Sequence, residues 1–213
     1  LKGQTNTISS AKFSPGGLHT ASSSWDGTIR VWNTQTGHMP INPLLGHTLS
    51  VEAIHFSPDS THLVSGSWDT TLRVWDVTTG GMVIGPLEGH IAFVTAAAFS
   101  PHGRLIVFGS SDKTIRIWEV QTGSMTYGPL QGHRAGVTPI AFSPNGSYLT
   151  SGSRDSTIRL LWNTQSGEVV FDPFQGHTAE VTSLAFSPDG TRIASAQETR
   201  VSVYGTCVLK ITY

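Results

Sequence analysis

The sequence predicts an all-β fold built from five antiparallel sheets of four strands, because one motif repeats along the whole chain. Its clearest line begins at residues 24, 67 and 110, a step of 43, and in the first copy reads Ser-Trp-Asp-Gly-Thr-Ile-Arg-Val-Trp. Phe-Ser-Pro keeps nearly the same spacing and starts at Phe13, Phe56, Phe99, Phe142 and Phe186. Self-similarity at such a period is typical of stacked supersecondary units, so each copy is expected to form one unit.

Each copy reads as a meander of four strands, and the second copy shows the elements in order. Residues 51–56 alternate between apolar and polar side chains, as a strand does. Pro58 and Gly80 mark turns, since proline presets φ and glycine accepts positive φ. The expected strands are 51–56, 63–67, 72–77 and a short one around 82–84. In the fifth copy we expect an outer strand at Val208–Ile211 and Tyr204 in the place of the motif tryptophan.

A single sheet of this kind has two partly apolar faces and needs another sheet on each side. Radial stacking of the copies meets this need and produces a β-propeller. The order Gly-His, about twenty residues, then Ser-x-Asp-x-Thr-Ile-Arg-Val-Trp resembles the WD-repeat β-propeller family. The resemblance covers essentially all 213 residues, with expected blades at 1–43, 44–86, 87–129, 130–173 and 174–213. These blades form either a closed ring of five or an open arc of a larger propeller, and their near-identity favours the arc.

The composition is that of an ordinary globular domain with balanced charge. There are 13 basic and 14 acidic side chains, which argues against nucleic-acid binding driven by net charge. No apolar stretch reaches membrane-spanning length, and residues 1–4 lack a signal-peptide core. Cys207 is the single cysteine, so a reducing compartment, the cytoplasm or the nucleus, is expected. We also expect no cofactor, and further domains or blades in the full-length chain.

The repeated polar residues point to an internal hydrogen-bond network at one end of each blade. In a meander, the connection that carries Gly-His and the turn that carries Asp lie at the same end. The resemblance implies that His47, Ser65, Asp69 and Trp75 form the family's hydrogen-bonded tetrad, in which local donors stabilise a buried carboxylate. The matching residues of the third and fourth copies are His90, Asp112, Trp118, His133, Ser151, Asp155 and Trp162.

The same residue types occur in hydrolase triads, but the sequence argues against catalysis. A catalytic site is needed once, whereas this set recurs, and no Gly-x-Ser-x-Gly elbow surrounds any of its serines. The Gly-His histidines have no second histidine or cysteine at ligand spacing, which argues against a metal site. We therefore expect neither catalytic nor metal-binding residues.

Some copies depart from the common pattern. Gln4 replaces the histidine of the first copy, and Phe108 replaces the tetrad serine of the third. The fifth copy has a turn one residue shorter, with Glu198 near the aspartate position. The fourth copy carries one extra residue, and a β-bulge at Leu160–Leu161 is predicted to absorb it.

Positions that vary between otherwise similar copies mark a candidate binding surface. They immediately precede the tetrad aspartate or flank the first apolar residue of the inner strand, so they lie at the same end of the blades. The candidate partner-binding residues are Trp25, Glu52, Trp68, Phe93, Arg154 and Glu180. Tryptophan and arginine are enriched at interface hot spots. The alternative is that Trp25 and Trp68 fold down onto their own blades.

The pattern favours a noncatalytic scaffold that binds a protein or peptide on this surface. The similarity among the copies resembles tandem WD-repeat arrays attached to fungal and bacterial signalling NTPases, which implies a sensing module. The alternative function is carbohydrate binding, with Trp25 and Trp68 as stacking platforms for sugars.

Overall fold

The computed structural model describes residues 3–168, 173–198 and 206–210, and the side chains of 160–162 and 206–210 lie outside that description. Over this part the protein consists of strands and turns, which confirms the all-β prediction. Within the same ranges, no helix has the length and apolar character required to cross a membrane.

The strands follow one another at intervals set by the repeat. They are β1 (Ile8–Phe13), β2 (His19–Ser24), β3 (Ile29–Asn33), β4 (Val51–Phe56), β5 (His62–Ser67), β6 (Leu72–Asp76), β7 (Met82–Leu87), β8 (Val94–Phe99), β9 (Leu105–Ser110), β10 (Ile115–Glu119), β11 (Met125–Leu130), β12 (Val137–Phe142), β13 (Tyr148–Ser153), β14 (Ile158–Asn163), β15 (Val181–Phe186), β16 (Arg192–Gln197) and β17 (Thr206–Lys210).

The strands form five antiparallel sheets in which neighbours in sequence are neighbours in space. Sheets β4–β7 and β8–β11 have four strands, while β1–β3, β12–β14 and β15–β17 have three within the described residues. The arrangement is consistent with a β-propeller of five blades, and the sheets are called blades one to five in chain order. The innermost strands β1, β4, β8, β12 and β15 together line a central cavity of about 440 Å³.

The expected fourth strand is reduced to one bridge in the first blade, where Leu44 pairs with Ile29. This segment contains Pro40 in addition to the later proline that it shares with the second blade, which has Pro86. Proline lacks the N–H that a ladder of hydrogen bonds requires, so the additional proline, Pro40, shortens the strand pairing. In the fourth blade a bridge likewise joins Phe174 to the third strand, and residues 169–172 lie outside the described part.

The expectation for the end of the fifth blade was wrong. Residues Thr206–Lys210 occupy the position of the third strand rather than an outer one, and Cys207 pairs with Ser195. In the second blade the equivalent Ser65 pairs with Arg73 of the third strand. Thr206 and Val208 are of residue types that favour strands, which is consistent with this segment joining the ladder. Tyr204 lies outside the described residues.

The core lies between the blades rather than inside one sheet. Ala21 and Val31 of the first blade pack in one buried cluster with Ile54, Phe56 and Leu63 of the second. The next boundary repeats the arrangement and buries Val64, Leu72, Val74, Val94, Phe99, Ile106, Phe108 and Trp118. Each blade is therefore stabilised chiefly by its neighbours.

The equivalent face of the first blade is more exposed than that of the second. Phe56 is 2% exposed, because the first blade covers it, whereas the equivalent Phe13 is 74% exposed. Ile8 and Leu18, on the same blade, are also exposed. The apolar position that is buried in the second and third blades is thus exposed in the first.

In the second, third and fourth blades, a glycine one residue before the end of the second strand lets the following blade approach closely. A Cβ atom added at this position would lie 2.4–2.6 Å from a valine methyl group of the following blade. The pairs are Gly66 with Val94, Gly109 with Val137 and Gly152 with Val181. Real side chains essentially never approach this closely, so the blade spacing depends on the missing side chain.

The extra residue of the fourth blade forms the predicted bulge. Leu149 pairs with Trp162, and the following residue, Thr150, pairs with Leu160. Leu161 therefore has no partner of its own in the ladder. The strand absorbs the insertion within one step, as a β-bulge does. The prediction at Leu160–Leu161 is confirmed.

We expect Gly109→Ala to destabilise the protein by about 1–3 kcal/mol, the usual cost of overpacking a core. The added methyl would lie 2.6 Å from Val137 Cγ1 and 2.7 Å from Ile140 Cδ1. Urea unfolding measures the effect. Gly81→Ala is the matched control, since its Cβ would meet only Thr79 Oγ1, at 3.4 Å. Equal stability of the two variants would contradict the proposed steric role.

Candidate functional site

The second blade contains a continuous chain of hydrogen bonds from an indole to a carboxylate. Trp75 Nε1 donates to Ser65 Oγ at 2.9 Å, and Ser65 Oγ lies 2.8 Å from His47 Nε2. His47 Nδ1 lies 2.9 Å from Asp69 Oδ2. An imidazole that is protonated at Nδ1 alone satisfies all of these hydrogen bonds, because it donates from Nδ1 to Asp69 and accepts at Nε2 from Ser65. The chain links strands β5 and β6 to the Gly-His loop and the β5–β6 turn.

Asp69 accepts several further hydrogen bonds. The backbone N–H of Thr48 donates to Oδ2 at 3.0 Å, and both the N–H and the hydroxyl of Thr71 donate to Oδ1, at 2.9 and 2.7 Å. Burial raises the pKa of Asp69, but the bonds from His47 and Thr71 outweigh it and hold the pKa well below its ordinary value. The carboxylate is therefore stable as a charged internal acceptor.

The glycine before the histidine gives an arginine room to pack. Gly46 has φ +154°, and a Cβ there would lie 2.9 Å from Arg73 Nη1. A side chain would therefore both strain the backbone and displace the guanidinium. The Gly-His signature thus reflects packing as well as hydrogen bonding.

The third blade keeps only half of the network. His90 Nδ1 lies 2.8 Å from Asp112 Oδ2. Phe108 replaces the serine and packs edge-on against Trp118 with ring centroids 5.7 Å apart. His90 Nε2 is buried and makes no well-formed hydrogen bond within the described residues. Burial lowers the pKa of His90 against the opposing pull of Asp112, so the ring stays neutral.

The fourth blade restores the serine. His133 Nε2 lies 2.8 Å from Ser151 Oγ, and Nδ1 lies 3.2 Å from Asp155 Oδ2. Burial raises the pKa of Asp155, but bonds from Thr157 and Arg134 bring it to about 2. The Trp162 side chain lies outside the described part of the structure.

Glutamine completes the networks of the first and fifth blades. In the first, Gln4 Nε2 donates to the Ser22 carbonyl at 3.0 Å, and Ser22 Oγ donates to Gln4 Oε1 at 3.1 Å. In the fifth, Gln197 Oε1 lies 3.0 Å from His177 Nδ1. The expectation that Glu198 takes the aspartate position was therefore wrong. The shorter turn places Gln197, the last residue of β16, where its amide oxygen replaces the carboxylate.

Each network ties together the loop, turn and strands of its own blade. Ser65 and Ser151 are fully buried, and their hydroxyl groups are bound internally. Among the described residues, no group of three or more histidine, cysteine or carboxylate side chains is placed to hold a metal ion. The arrangement is structural in character.

The exposed feature at the Gly-His end is an aromatic cluster, by which we mean Trp25, Trp68 and Phe93. Trp68 stacks on Phe93 with centroids 4.8 Å apart and an interplanar angle of 13°. Trp25 lies 5.9 Å from Trp68 at 42°. Trp25 and Phe93 are each 43% exposed. The rings therefore run across the first three blades and do not fold down individually onto their own sheets.

Charged candidate residues flank this cluster. Both indole N–H groups of Trp25 and Trp68 donate to Oε2 of Glu52, at 3.3 and 3.1 Å. Farther round, Arg154 Nε lies 3.1 Å from Glu180 Oε1. All six candidate binding residues thus lie at the Gly-His end, in two groups on different blades.

Two exposed apolar residues at the same end of the blades were missed by the sequence analysis. Ile91 is 88% exposed and Leu49 is also exposed. Ile91 is the second residue after Gly89 and Leu49 the third after Gly46, and each lies in the loop before an inner strand. An apolar side chain in a short polar loop was the available signal.

Comparison with protein families gives one result. The family model WD40, described as WD domain, G-beta repeat, matches residues 1–33, 39–76, 81–119, 125–162 and 168–207. A search of the curated proteins finds no match.

Stability should fall on acidification in two stages. Burial lowers the pKa of His90 and His133, so the unfolded chain binds protons more readily, and stability should decrease below about pH 6.5. The pKa of Asp155 is about 2 in the fold, below its ordinary 3.8. Its contribution is complete above about pH 4 and is lost as the pH falls towards 2. Urea midpoints across this range test the profile, and Asp155→Asn should reduce its lower stage without removing it, because the pKa of Asp69 is also lowered in the fold. A midpoint independent of pH would contradict both assignments.

We expect His47→Ala to cost about 2–5 kcal/mol, since the change leaves a buried carboxylate and a serine without their partner. His90→Ala should cost less, because His90 makes one fewer hydrogen bond. The exposed His38 provides the control, and its alanine variant should unfold like the wild type. Equal losses for His47→Ala and His90→Ala, measured by urea unfolding, would refute the link between serine contact and stability.

Proposed function

We propose that this chain, which belongs to the WD40 family of G-beta repeats, is a noncatalytic interaction module that binds a protein or peptide at its Gly-His end. WD40 repeats generally mediate protein–protein interactions. The proposal includes an intracellular scaffold or sensing role alongside further domains or blades. The observation that carries it is the partly exposed aromatic cluster of Trp25, Trp68 and Phe93.

The cluster has the composition of an interface centre. Tryptophan dominates binding hot spots, and contiguous exposed apolar surface is uncommon on proteins that bind nothing. Leu49 and Ile91 add exposed apolar side chains at the same end of the blades, and Arg154 and Glu180 add charged ones. An apolar centre with a polar edge is the usual anatomy of a protein interface.

The opposite end of the blades supports recognition less well. Its turns use their polar side chains internally: Asn33 Oδ1 accepts from the N–H groups of Gln35 and Thr36, at 3.0 and 2.9 Å. Asp76 Oδ1 accepts in the same way from Thr78 and Thr79, at 2.9 and 2.7 Å. These side chains shape turns, which explains why they hardly vary between copies.

Carbohydrate binding, the alternative function, has weaker support. Sugar stacking requires an open aromatic face, but one face of Trp68 is covered by Phe93 at 4.8 Å. Trp25 and Trp68 also donate their indole N–H groups to Glu52, which leaves them unavailable to sugar hydroxyls. The geometry favours a broader, mainly apolar contact.

Peptides selected against the chain by display should bind Trp68→Ala about tenfold or more weakly, as expected for removal of a hot-spot residue. The cluster would lose its central ring, while the half-buried position should leave the fold intact. Calorimetric titration measures binding, and a melting curve checks folding. Gln35→Ala, at the opposite end, is the control and should bind like the wild type. Selected peptides that bind Trp68→Ala with undiminished affinity would contradict the proposed surface.

A further inference from the structure

Position 52 departs from a repeated contact between blades. In three other blades the equivalent residue is a serine or threonine whose hydroxyl donates to a backbone carbonyl of the following blade. The pairs are Ser9 with Val51, Thr95 with Val137 and Thr138 with Val181, the last at 2.5 Å. Glu52 has no such donor. The second blade therefore gives up an interblade hydrogen bond at the point where the aromatic cluster lies.

Glu52 carries a charge that no cation offsets. Its Oε2 accepts from Trp25 and Trp68, which are neutral donors. Within the described ranges no lysine, arginine or histidine forms an ion pair with it, and no hydrogen bond reaches its Oε1. The carboxylate is half-buried beside indole rings, where an electrostatic attraction is stronger than in water.

The other charged side chains that line the central cavity do not pair with Glu52. Lys12, Arg154 and Glu180 line it together with Glu52. Arg154 is already paired with Glu180 at 3.1 Å. Lys12 is the fifth residue of β1, whereas Glu52 is the second residue of β4, so Lys12 lies farther down the cavity. Within the described residues, the Glu52 carboxylate at the cluster therefore has no cationic partner.

We propose that Glu52 and the aromatic cluster accept an arginine side chain of the partner, a claim that rests on the proposed function and specifies its ligand chemistry. A guanidinium group stacks on aromatic faces and donates to a carboxylate at the same time. Trp25 presents the exposed ring, and Oε1 of Glu52 presents the free acceptor. Leu49 and Ile91 provide apolar surface for the residues beside the arginine.

The carboxylate at position 52 distinguishes a role in binding arginine from a role in stabilising the fold, because the equivalent residues of other blades are hydroxyl donors. A residue retained for stability would resemble its counterparts, which tie neighbouring blades together. Glu52 instead holds two indoles in place across the first two blades. Glu52→Thr restores the residue type of the third, fourth and fifth blades, so it should preserve or raise stability while removing the charge.

The test uses the whole chain and the peptide acetyl-Ala-Leu-Arg-Leu-Ala-amide, followed by calorimetry and tryptophan fluorescence. Replacement of its arginine by citrulline, which is neutral and nearly isosteric, should weaken binding about tenfold or more. Replacement by lysine should also weaken it, because an ammonium does not stack as a planar group. Glu52→Thr should abolish the preference for arginine over citrulline and leave the urea midpoint equal or higher.

Glu168→Gln is the matched control, since it removes an exposed carboxylate from the turn that follows β14 and should keep the preference. The proposal is overturned if the arginine peptide fails to bind at millimolar concentration, if citrulline or lysine binds equally well, or if Glu52→Thr retains the preference. Display-selected peptides that need Trp68 but not arginine would overturn this inference alone. Peptides that bind independently of Trp68 would instead overturn the proposed function.

Discussion

The structure depends on a buried carboxylate that is surrounded by local donors at the end of a blade. Asp69 binds the His47 ring and the Thr48 N–H, which fixes the loop entering the inner strand, and it binds Thr71, which fixes the next turn. A backbone bond from Trp68 to Ser50, at 2.9 Å, then joins the loop to the turn directly. Because the loop and the turn are held rigidly, the exposed residues beside them keep fixed positions.

The departures from this network show which part of it the fold requires. Gln197 replaces the carboxylate of the fifth blade and retains both the histidine contact and a bond from the Thr178 N–H, at 2.8 Å. In the first blade Gln4 binds the serine, while the Thr5 N–H donates to Asp26 at 2.8 Å. A link between loop and turn thus persists in both. The histidine or the charge can be lost as long as an acceptor remains for the loop N–H groups.

The repeat period, the strand order and the bulge at Leu160–Leu161 were predictable from sequence, because they follow from spacing and side-chain alternation. The acceptor Gln197 was not, since a turn shortened by one residue changes which side chain points at the histidine. The stacking of Trp68 on Phe93 was also hidden. It depends on the angle between two blades, which the packing of residues such as Gly66 and Val94 determines.

One geometric position explains how nearly identical blades acquire different surfaces. At each boundary between consecutive blades in the described residues, the residue before the tetrad aspartate position contacts the residue before the next inner strand. The four boundaries contain Trp25 with Ser50, Trp68 with Phe93, Ser111 with Gly136 and Arg154 with Glu180. The backbone beneath them is the same, so the chemistry changes from a hydrogen bond to a ring stack, a close backbone approach and an ion pair. Because the network below each pair carries the stability, these side chains are free to be selected for binding.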